Sequence, residues 1–271
     1  AFAGGTVRLT RARDGAQAAV TDVGAEPTAV ALSPDGTVLA VGTENGRLLT
    51  GAPDGSPLRA RPHSAIGPVH ALAFLGDGAE LAFVCDSQMV HLLTVADPSA
   101  EARASSMMKH QDHIRQLAVS PDGRFLATAG NDRLVLVWDV RTGRRPDGEP
   151  GAAAGSEGAD RSVGADSVRA LAFAPDGRTV ADAGRQGLVR RWGLTAAAPI
   201  ATLTGPGQAL NGLAFLPDGR VLAAGDNGSA PLWSLDPDAV AREACAVLRP
   251  PVPHRDWLRL APGSPYRPTC P

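Results

Sequence analysis

The sequence predicts an all-β fold built from repeated four-stranded antiparallel sheets, and three observations lead to this fold class. An apolar strand, an Asp-Gly turn and a second apolar strand recur together five times. The turn aspartates follow one another at intervals of 42, 45, 54 and 42 residues, a period typical of units of four strands. The connections within a unit are too short for a crossover helix, so neighbouring strands must be antiparallel. These aspartates are Asp35, Asp77, Asp122, Asp176 and Asp218.

The third of these units illustrates how the residues form the strands. An apolar stretch at 117–120 ends at a Pro-Asp-Gly turn, in which proline presets φ, aspartate caps the turn and glycine takes the left-handed conformation. Further apolar strands follow at 125–128 and 134–138. One such sheet cannot bury both of its faces, whereas sheets stacked around an axis cover one another. The predicted fold is therefore a β-propeller of four-stranded blades.

We expect the propeller to occupy residues 1–235 and a tail with a short helix to occupy 236–271. The long interval between the third and fourth units contains a Gly-, Ala-, Asp- and Arg-rich stretch without apolar periodicity, which predicts a mobile surface loop. The number of blades stays open, with loss of upstream blades favoured over a small closed ring. The expected units are a partial blade at 1–24, repeats near 25–61, 62–103, 104–145, 164–203 and 204–235, and a loop insertion at 143–167.

The tail contains a helix start and two of the three cysteines. Asp236 supplies a capping carboxylate and Pro237 suits the first turn, and the apolar residues that follow recur at helical spacing. Cys245 and Cys270 flank this tail, and a disulfide between them would clip it in an oxidising compartment. The alternative is a pair of idle thiols in a reducing cytosol.

Charge and composition argue against several classes of function. The chain has 26 basic and 28 acidic residues, so it lacks the basic excess typical of nucleic-acid binders. No window approaches eighteen uncharged apolar residues, so no membrane insertion is expected. No phosphate-binding, nucleophile-elbow, zinc-protease or calcium-loop motif occurs, so neither an enzyme nor a cofactor is predicted. His110 and His113 lack further ligands at a supporting spacing, so no metal site is predicted.

The third unit resembles a complete WD repeat and ends with Val-Trp-Asp at 137–139. This resemblance implies a buried network of His110, Thr128, Asp132 and Trp138. In such a network the indole N–H donates to the hydroxyl, which meets the imidazole, which in turn meets the carboxylate. We interpret these four residues as structural, because a satisfied buried network ties the incoming loop to the inner strands.

The end of the chain resembles the terminal segment of large actinobacterial WD-repeat proteins, on the basis of Ala244-Cys245, Arg255-Asp256-Trp257 and Pro265-Tyr266-Arg267. In those proteins the propeller is often the C-terminal part of a signalling NTPase of the STAND type. The resemblance implies a sensor or partner-binding role within a larger switch protein. We expect a cytoplasmic location, with the extracytoplasmic side of a membrane-anchored parent protein as the alternative.

A second set of residues lies one position before the network aspartate in each blade. In a propeller these residues should emerge on one face around the central channel, and their formal charges sum to −2. Clustered charges of one sign focus the field at a channel mouth, which favours a basic peptide or a cationic ligand. The alternative is a set of ordinary solvated turns. This candidate binding rim consists of Glu44, Asp86, Asn131, Arg185 and Asp226.

The leading functional hypothesis is a non-catalytic module for protein–protein interaction or ligand sensing, with a protein or peptide as the partner. One alternative is a propeller enzyme that acts on a small substrate in the axial channel, although the expected channel strands are Leu-Ala-Phe or Leu-Ala-Val. A second alternative is an architectural module that assembles with other copies of itself.

Overall fold

Six antiparallel sheets follow one another along the chain in the computed structural model. The structure describes residues 2–11, 13–146, 161–162, 168–195, 199–205 and 207–234, and these contain β-strands and no helix. The expected helix after residue 235 and the pair Cys245 and Cys270 lie outside the described residues.

The strands are numbered in chain order. The first sheet contains β1 (Phe2–Ala3), β2 (Thr6–Thr10) and β3 (Gln17–Asp22). The second contains β4 (Pro27–Leu32), β5 (Leu39–Thr43), β6 (Leu48–Gly51) and β7 (Arg59–Arg61). The third contains β8 (Ala71–Leu75), β9 (Glu80–Val84), β10 (Met89–Thr94) and β11 (Arg103–Lys109). The fourth contains β12 (Ile114–Val119), β13 (Phe125–Gly130), β14 (Leu134–Asp139) and β15 (Arg161–Ser162). The fifth contains β16 (Val168–Phe173), β17 (Thr179–Gly184), β18 (Leu188–Gly193) and β19 (Ala201–Thr204). The sixth contains β20 (Leu210–Phe215), β21 (Val221–Gly225) and β22 (Leu232–Trp233).

The sheets are blades that pack on one another face to face. The inner strands β4, β8, β12, β16 and β20 contact one another in this order. Five hydrophobic clusters fill the interfaces between successive sheets. The two faces of β13 illustrate this packing, because Leu126 contacts the third sheet and Phe125 contacts the fifth. The prediction of an all-β propeller with four-stranded antiparallel blades is confirmed.

The first sheet has no inner strand among the described residues. Its strands occupy the positions of the second, third and fourth strands of a blade, since β3 leads directly into the inner strand of the next sheet. On β4, Ala29 and Ala31 pack towards the third sheet, whereas Val30 and Leu32 point to the opposite side and are 38% and 50% exposed. The uncovered position in the first sheet accounts for this exposure.

The fourth sheet differs from the expected loop insertion at 143–167. Arg161 and Ser162 within that stretch pair with Val135 and Leu134, and so form the outer strand of the blade. This pairing occupies backbone groups of β14 that would otherwise form an open sheet edge. Two residues are too short a strand to produce a hydrophobic alternation, so the sequence pattern did not predict it.

The Asp-Gly turns between the first two strands are held by side-chain hydrogen bonds. In the second sheet, Asp35 accepts hydrogen bonds from the Ser33 hydroxyl and from the backbone N–H and hydroxyl of Thr37. These bonds, with that of Ser33 the strongest, lower the pKa of Asp35 to about 2. In the fourth sheet, Gly123 has a φ of 69°, and a Cβ built on it would lie 2.2 Å from the Cα of Gly76 in the neighbouring blade. Turns of adjacent blades therefore touch at this glycine.

Candidate interaction site

Near its start, each inner strand has a residue that the sheet ladder leaves unpaired. In four sheets the register between the first and second strands shifts by one residue at this point. In the third sheet, the equivalent residue lies immediately before β8 and donates its backbone N–H to Val84. A bulge of this kind redirects the side chain of the extra residue. The five residues are Thr28, His70, Arg115, Arg169 and Asn211.

Four of these five residues line a pocket of about 420 Å³ at the end of the propeller where the inner strands begin. We call this end the channel mouth. The pocket extends across the third, fourth, fifth and sixth sheets, because the inner strands that carry its walls lie side by side. Its lining residues are His70, Arg115, Gln116, Asn131, Val168, Arg169 and Asn211.

Asp86 joins the third and fourth sheets beside the pocket. Its Oδ1 lies 2.8 Å from His70 Nε2 and 2.8 Å from Arg115 NH1. His113 Nδ1 approaches the same oxygen at 3.8 Å. The hydrogen bond from His70, followed by the charges of His70, Arg115 and His113, lowers the pKa of Asp86. The carboxylate is therefore ionised and fixes the position of the Arg115 guanidinium.

A similar arrangement joins the fifth and sixth sheets. Arg169 NH1 lies 2.6 Å from Asn211 Oδ1 and 3.7 Å from Asp226 Oδ2. The amide of Asn211 also donates to Asp226 Oδ1. Arg169 therefore occupies the position in the fifth sheet that Arg115 occupies in the fourth. In each arginine, NH1 contacts polar groups of the neighbouring rim.

The structure brings some of the predicted rim residues together and leaves others apart. Asn131 lines the pocket, and Asp86 and Asp226 flank it through their arginines. Glu44 and Arg185 lie exposed in the corresponding turns of the second and fifth sheets and do not line this pocket. All five follow the second strand of their sheets at the same end of the propeller.

The acidic excess expected for the rim is balanced by residues that sequence reasoning missed. Arg115 and Arg169 form ion pairs with Asp86 and Asp226, so these two acids do not act as free negative charges. A sequence signal for the arginines exists. Each bulge residue lies two positions before the recurring apolar pattern, where a polar side chain occurs in all five units.

The four residues of the implied network lie together in the fourth sheet. Trp138 Nε1 donates to Thr128 Oγ1 at 2.8 Å, and Thr128 Oγ1 lies 2.7 Å from His110 Nε2. His110 Nδ1 lies 2.9 Å from Asp132 Oδ2. Burial raises the pKa of Asp132, but hydrogen bonds from His110 and from two backbone N–H groups, together with the charge of His110, lower it overall. Since the hydroxyl must accept from the indole, it can donate to Nε2, which leaves the proton of the ring on Nδ1.

The fifth sheet replaces this network with a buried ion pair. Asp182 occupies the position of Thr128, because each lies opposite the corresponding leucine of the inner strand. It accepts a hydrogen bond from Trp192 Nε1, and its Oδ2 lies 3.4 Å from Arg190 NH1. The sequence pattern retained only the tryptophan, so this substitution was not predicted.

In the third sheet, the position equivalent to Thr128 is occupied by the aromatic ring of Phe83. Phe83 stacks on His91 at a centroid distance of 5.2 Å and meets the edge of His63 at 5.3 Å. His91 Nε2 lies 3.1 Å from Ser87 Oγ. Burial, followed by the charge of His63, lowers the pKa of His91. The three blades therefore use different chemistry at one structural position.

Within the described ranges, no three His, Cys, Asp or Glu side chains form a group that could hold a metal ion. His110 and His113, the pair considered from the sequence, face different carboxylates, those of Asp132 and Asp86. In the same part of the chain, no helix is long and apolar enough to cross a membrane.

Comparisons with known proteins identify repeats in this chain. The family described as WD40, "WD domain, G-beta repeat", matches residues 104–139 and 197–234. "WD repeat-containing protein 1" of Gallus gallus is 36% identical over 124 residues, which are 45% of this chain and 20% of that protein. "WD repeat-containing protein SL1-17" of Schistosoma mansoni is 31% identical over 144 residues, 51% of this chain and 42% of that protein.

A match over more of the chain comes from "Telomerase protein component 1" of Rattus norvegicus. It is 29% identical over 222 residues, which are 81% of this chain and 8% of that protein. The chain thus spans a fifth of the length of the avian relative and less than a tenth of the rat one.

Proposed function

We propose that this chain, which contains two segments that match the WD40 repeat family, is a non-catalytic interaction module whose channel mouth binds a protein or peptide partner. The observation that carries this proposal is the set of bulge side chains that border the pocket. The register shifts at these residues, and their side chains line the pocket while the sheets remain rigid.

An exposed aliphatic side chain at the same end supports the proposal. Ile66 is 80% exposed and lies in the segment that leads into the inner strand of the third sheet. A Cβ built on the next residue, Gly67, would lie 2.6 Å from Asp86 Oδ2, so this segment lies against the rim. An apolar side chain beside a polar pocket is a good anchor for a partner.

The chemistry of Asp86 supports binding rather than catalysis. A general base works best with a pKa near the working pH, whereas hydrogen bonding and neighbouring charges lower the pKa of this carboxyl group. Asp86 is therefore a weak base, and its contacts suit the positioning of Arg115.

We further propose that the module is the regulatory or sensor part of a larger signalling protein. The likeness of the terminal segment at 244–267 to actinobacterial WD-repeat proteins supports this proposal, as does the suitability of a rigid binding face for reporting a bound partner. A cytoplasmic location is part of the same proposal, with the extracytoplasmic side of a membrane-anchored parent as its alternative. Fractionation of the source cells tests the location.

A capture experiment with matched variants tests the binding face. Ile66→Asp places a charge at the channel mouth, whereas Ile200→Asp places one at the opposite end, on a side chain that is 59% exposed. Both variants are first compared with the unmodified chain in thermal melts and light scattering, so that folding and self-association are known. Proteins that bind the unmodified chain should be retained by Ile200→Asp and lost by Ile66→Asp. The reverse pattern, or equal retention by both, contradicts the proposal.

A further inference from the structure

We propose that the pocket at the channel mouth holds an oxyanion of the partner peptide, either the carboxylate of an acidic residue or the phosphate of a phosphorylated one. This inference rests on the proposed function and assigns a chemical class to the group that the site recognises. The proposed ligand group is negatively charged, whereas the turn residues of the candidate binding rim alone indicate a preference for a cation.

The polar lining of the pocket is rich in donors. It consists of two guanidinium groups, three side-chain amides and the ring of His70, with no carboxylate among the described residues that line it. The nearby acids, Asp86 and Asp226, lie outside this lining and contact the arginines from the rim. A group that enters the pocket therefore meets N–H donors first.

Two of the three side-chain amide oxygens of the pocket already accept hydrogen bonds from the arginines. Asn131 Oδ1 accepts from Arg115 Nε at 3.4 Å, and Asn211 Oδ1 accepts from Arg169 NH1 at 2.6 Å. An amide has one oxygen and an NH₂ group with two donors. Because the oxygens face the arginines, Asn131 offers its NH₂ group to a ligand. A cation requires acceptors, and these two are occupied.

Both arginines retain donors that no other residue in the described part of the chain contacts. All contacts of Arg169 with other described residues involve NH1, which leaves Nε and NH2 without partners in this part of the chain. Arg115 uses NH1 and Nε and retains NH2. Each side chain is 35% exposed, so these donors are accessible. A guanidinium that is fixed on one side and open on the other can bind a carboxylate or phosphate through two parallel hydrogen bonds.

The bulges place the two arginines at equivalent points on neighbouring strands. Arg115 is the second residue of β12 and Arg169 is the second residue of β16, and these two inner strands pack against each other. Both side chains line the same pocket of about 420 Å³, a volume that admits a side chain but not a folded domain. The site therefore suits one acidic side chain at the tip of an extended peptide.

The test uses short fluorescent peptides of one neutral scaffold, with glutamate, phosphoserine, glutamine or lysine at the centre. Binding to the full chain is measured by fluorescence anisotropy at low salt. Arg169→Gln removes donors of the pocket, and Arg220→Gln is the matched control, because Arg220 lies in the turn at the opposite end of the sixth sheet and pairs with Asp218.

We expect the glutamate or the phosphoserine peptide to bind about tenfold more tightly than the glutamine peptide, since charge-assisted hydrogen bonds are roughly twice as strong as neutral ones. Arg169→Gln should remove this difference and Arg220→Gln should keep it. The stronger of the two acidic peptides identifies the source of the oxyanion. Tightest binding of the lysine peptide, equal binding of the glutamate, phosphoserine and glutamine peptides, or indifference to Arg169→Gln would overturn the inference.

The two proposals fail in different ways. If Ile66→Asp abolishes partner capture while acidic peptides show no preference, the interaction module stands and the oxyanion assignment is wrong. If captured proteins ignore Ile66→Asp, the proposed function fails. Binding of acidic peptides that depends on Arg169 would then show an anion site without a role in partner binding.

Discussion

Asp182 lies buried opposite Arg190 on the neighbouring strand, with 3.4 Å between Oδ2 and NH1, at the position where the fourth sheet has Thr128 and Leu136. The same carboxylate accepts a hydrogen bond from Trp192. A buried ion pair and a neutral hydroxyl network thus support equivalent tryptophans in adjacent blades.

The first prediction concerns this pair. Arg190→Leu should destabilise the chain by about 3 kcal/mol, because a buried carboxylate loses its counter-charge. The double variant Asp182→Thr/Arg190→Leu copies the fourth sheet and gives Trp192 a hydroxyl acceptor, so it should recover most of that loss. Urea unfolding measures both. A double variant no more stable than Arg190→Leu would contradict this explanation.

The second prediction concerns the hydroxyl of Thr128. Thr128→Val keeps the shape of the side chain but leaves the indole N–H of Trp138 and Nε2 of His110 buried without a partner. We expect a loss of about 2 to 4 kcal/mol in the free energy of unfolding, since each unsatisfied buried group costs roughly 1–3 kcal/mol. Thr202→Val, at an exposed position of β19, is the control and should change it little. Equal effects of the two variants would show that the network contributes nothing measurable.

The third prediction separates steric contact from backbone strain. Gly123 and Gly219 occupy equivalent turns with φ values of 69° and 84°. A Cβ at Gly219 meets nothing within 4 Å in the described part of the chain, whereas one at Gly123 lies 2.2 Å from Gly76 Cα. Gly219→Ala should therefore cost about 1–2 kcal/mol from its φ alone, and Gly123→Ala should cost clearly more. Thermal melts compare them, and equal melting temperatures would exclude a tight contact between the turns.

The fourth prediction is a pH dependence that arises in the third sheet. Burial, and then the charge of His63, lowers the pKa of His91 below its ordinary value of 6.5, so the unfolded chain binds a proton at this residue more readily than the folded chain does. His91 therefore makes the folded state less stable as the pH falls below about 6.5. His91→Leu, which copies Leu136 of the fourth sheet, should reduce the loss of stability between neutral and mildly acidic pH. Urea unfolding at several pH values measures this loss, and an unchanged pH dependence in His91→Leu would show that other groups cause it.

The sequence was sufficient to predict the blades because their strands and turns recur with a fixed spacing. It also identified the residues around Thr128, since that unit retains the whole pattern. It did not predict the pair of Asp182 and Arg190, because a compensating substitution across two strands resembles simple loss of a motif. It missed Arg115 and Arg169 as well, because the bulge that directs them into the pocket is a property of strand register.

The bulges have a consequence for how such a protein can change over generations. The sheet ladder does not pair these residues, and Thr28, His70 and Asn211 show that unlike side chains are accepted at one backbone position. The residues that recognise a partner can therefore change one blade at a time, by evolution or by design, while the arrangement of the strands stays the same. The five positions therefore allow many combinations of side chains on one unchanged backbone.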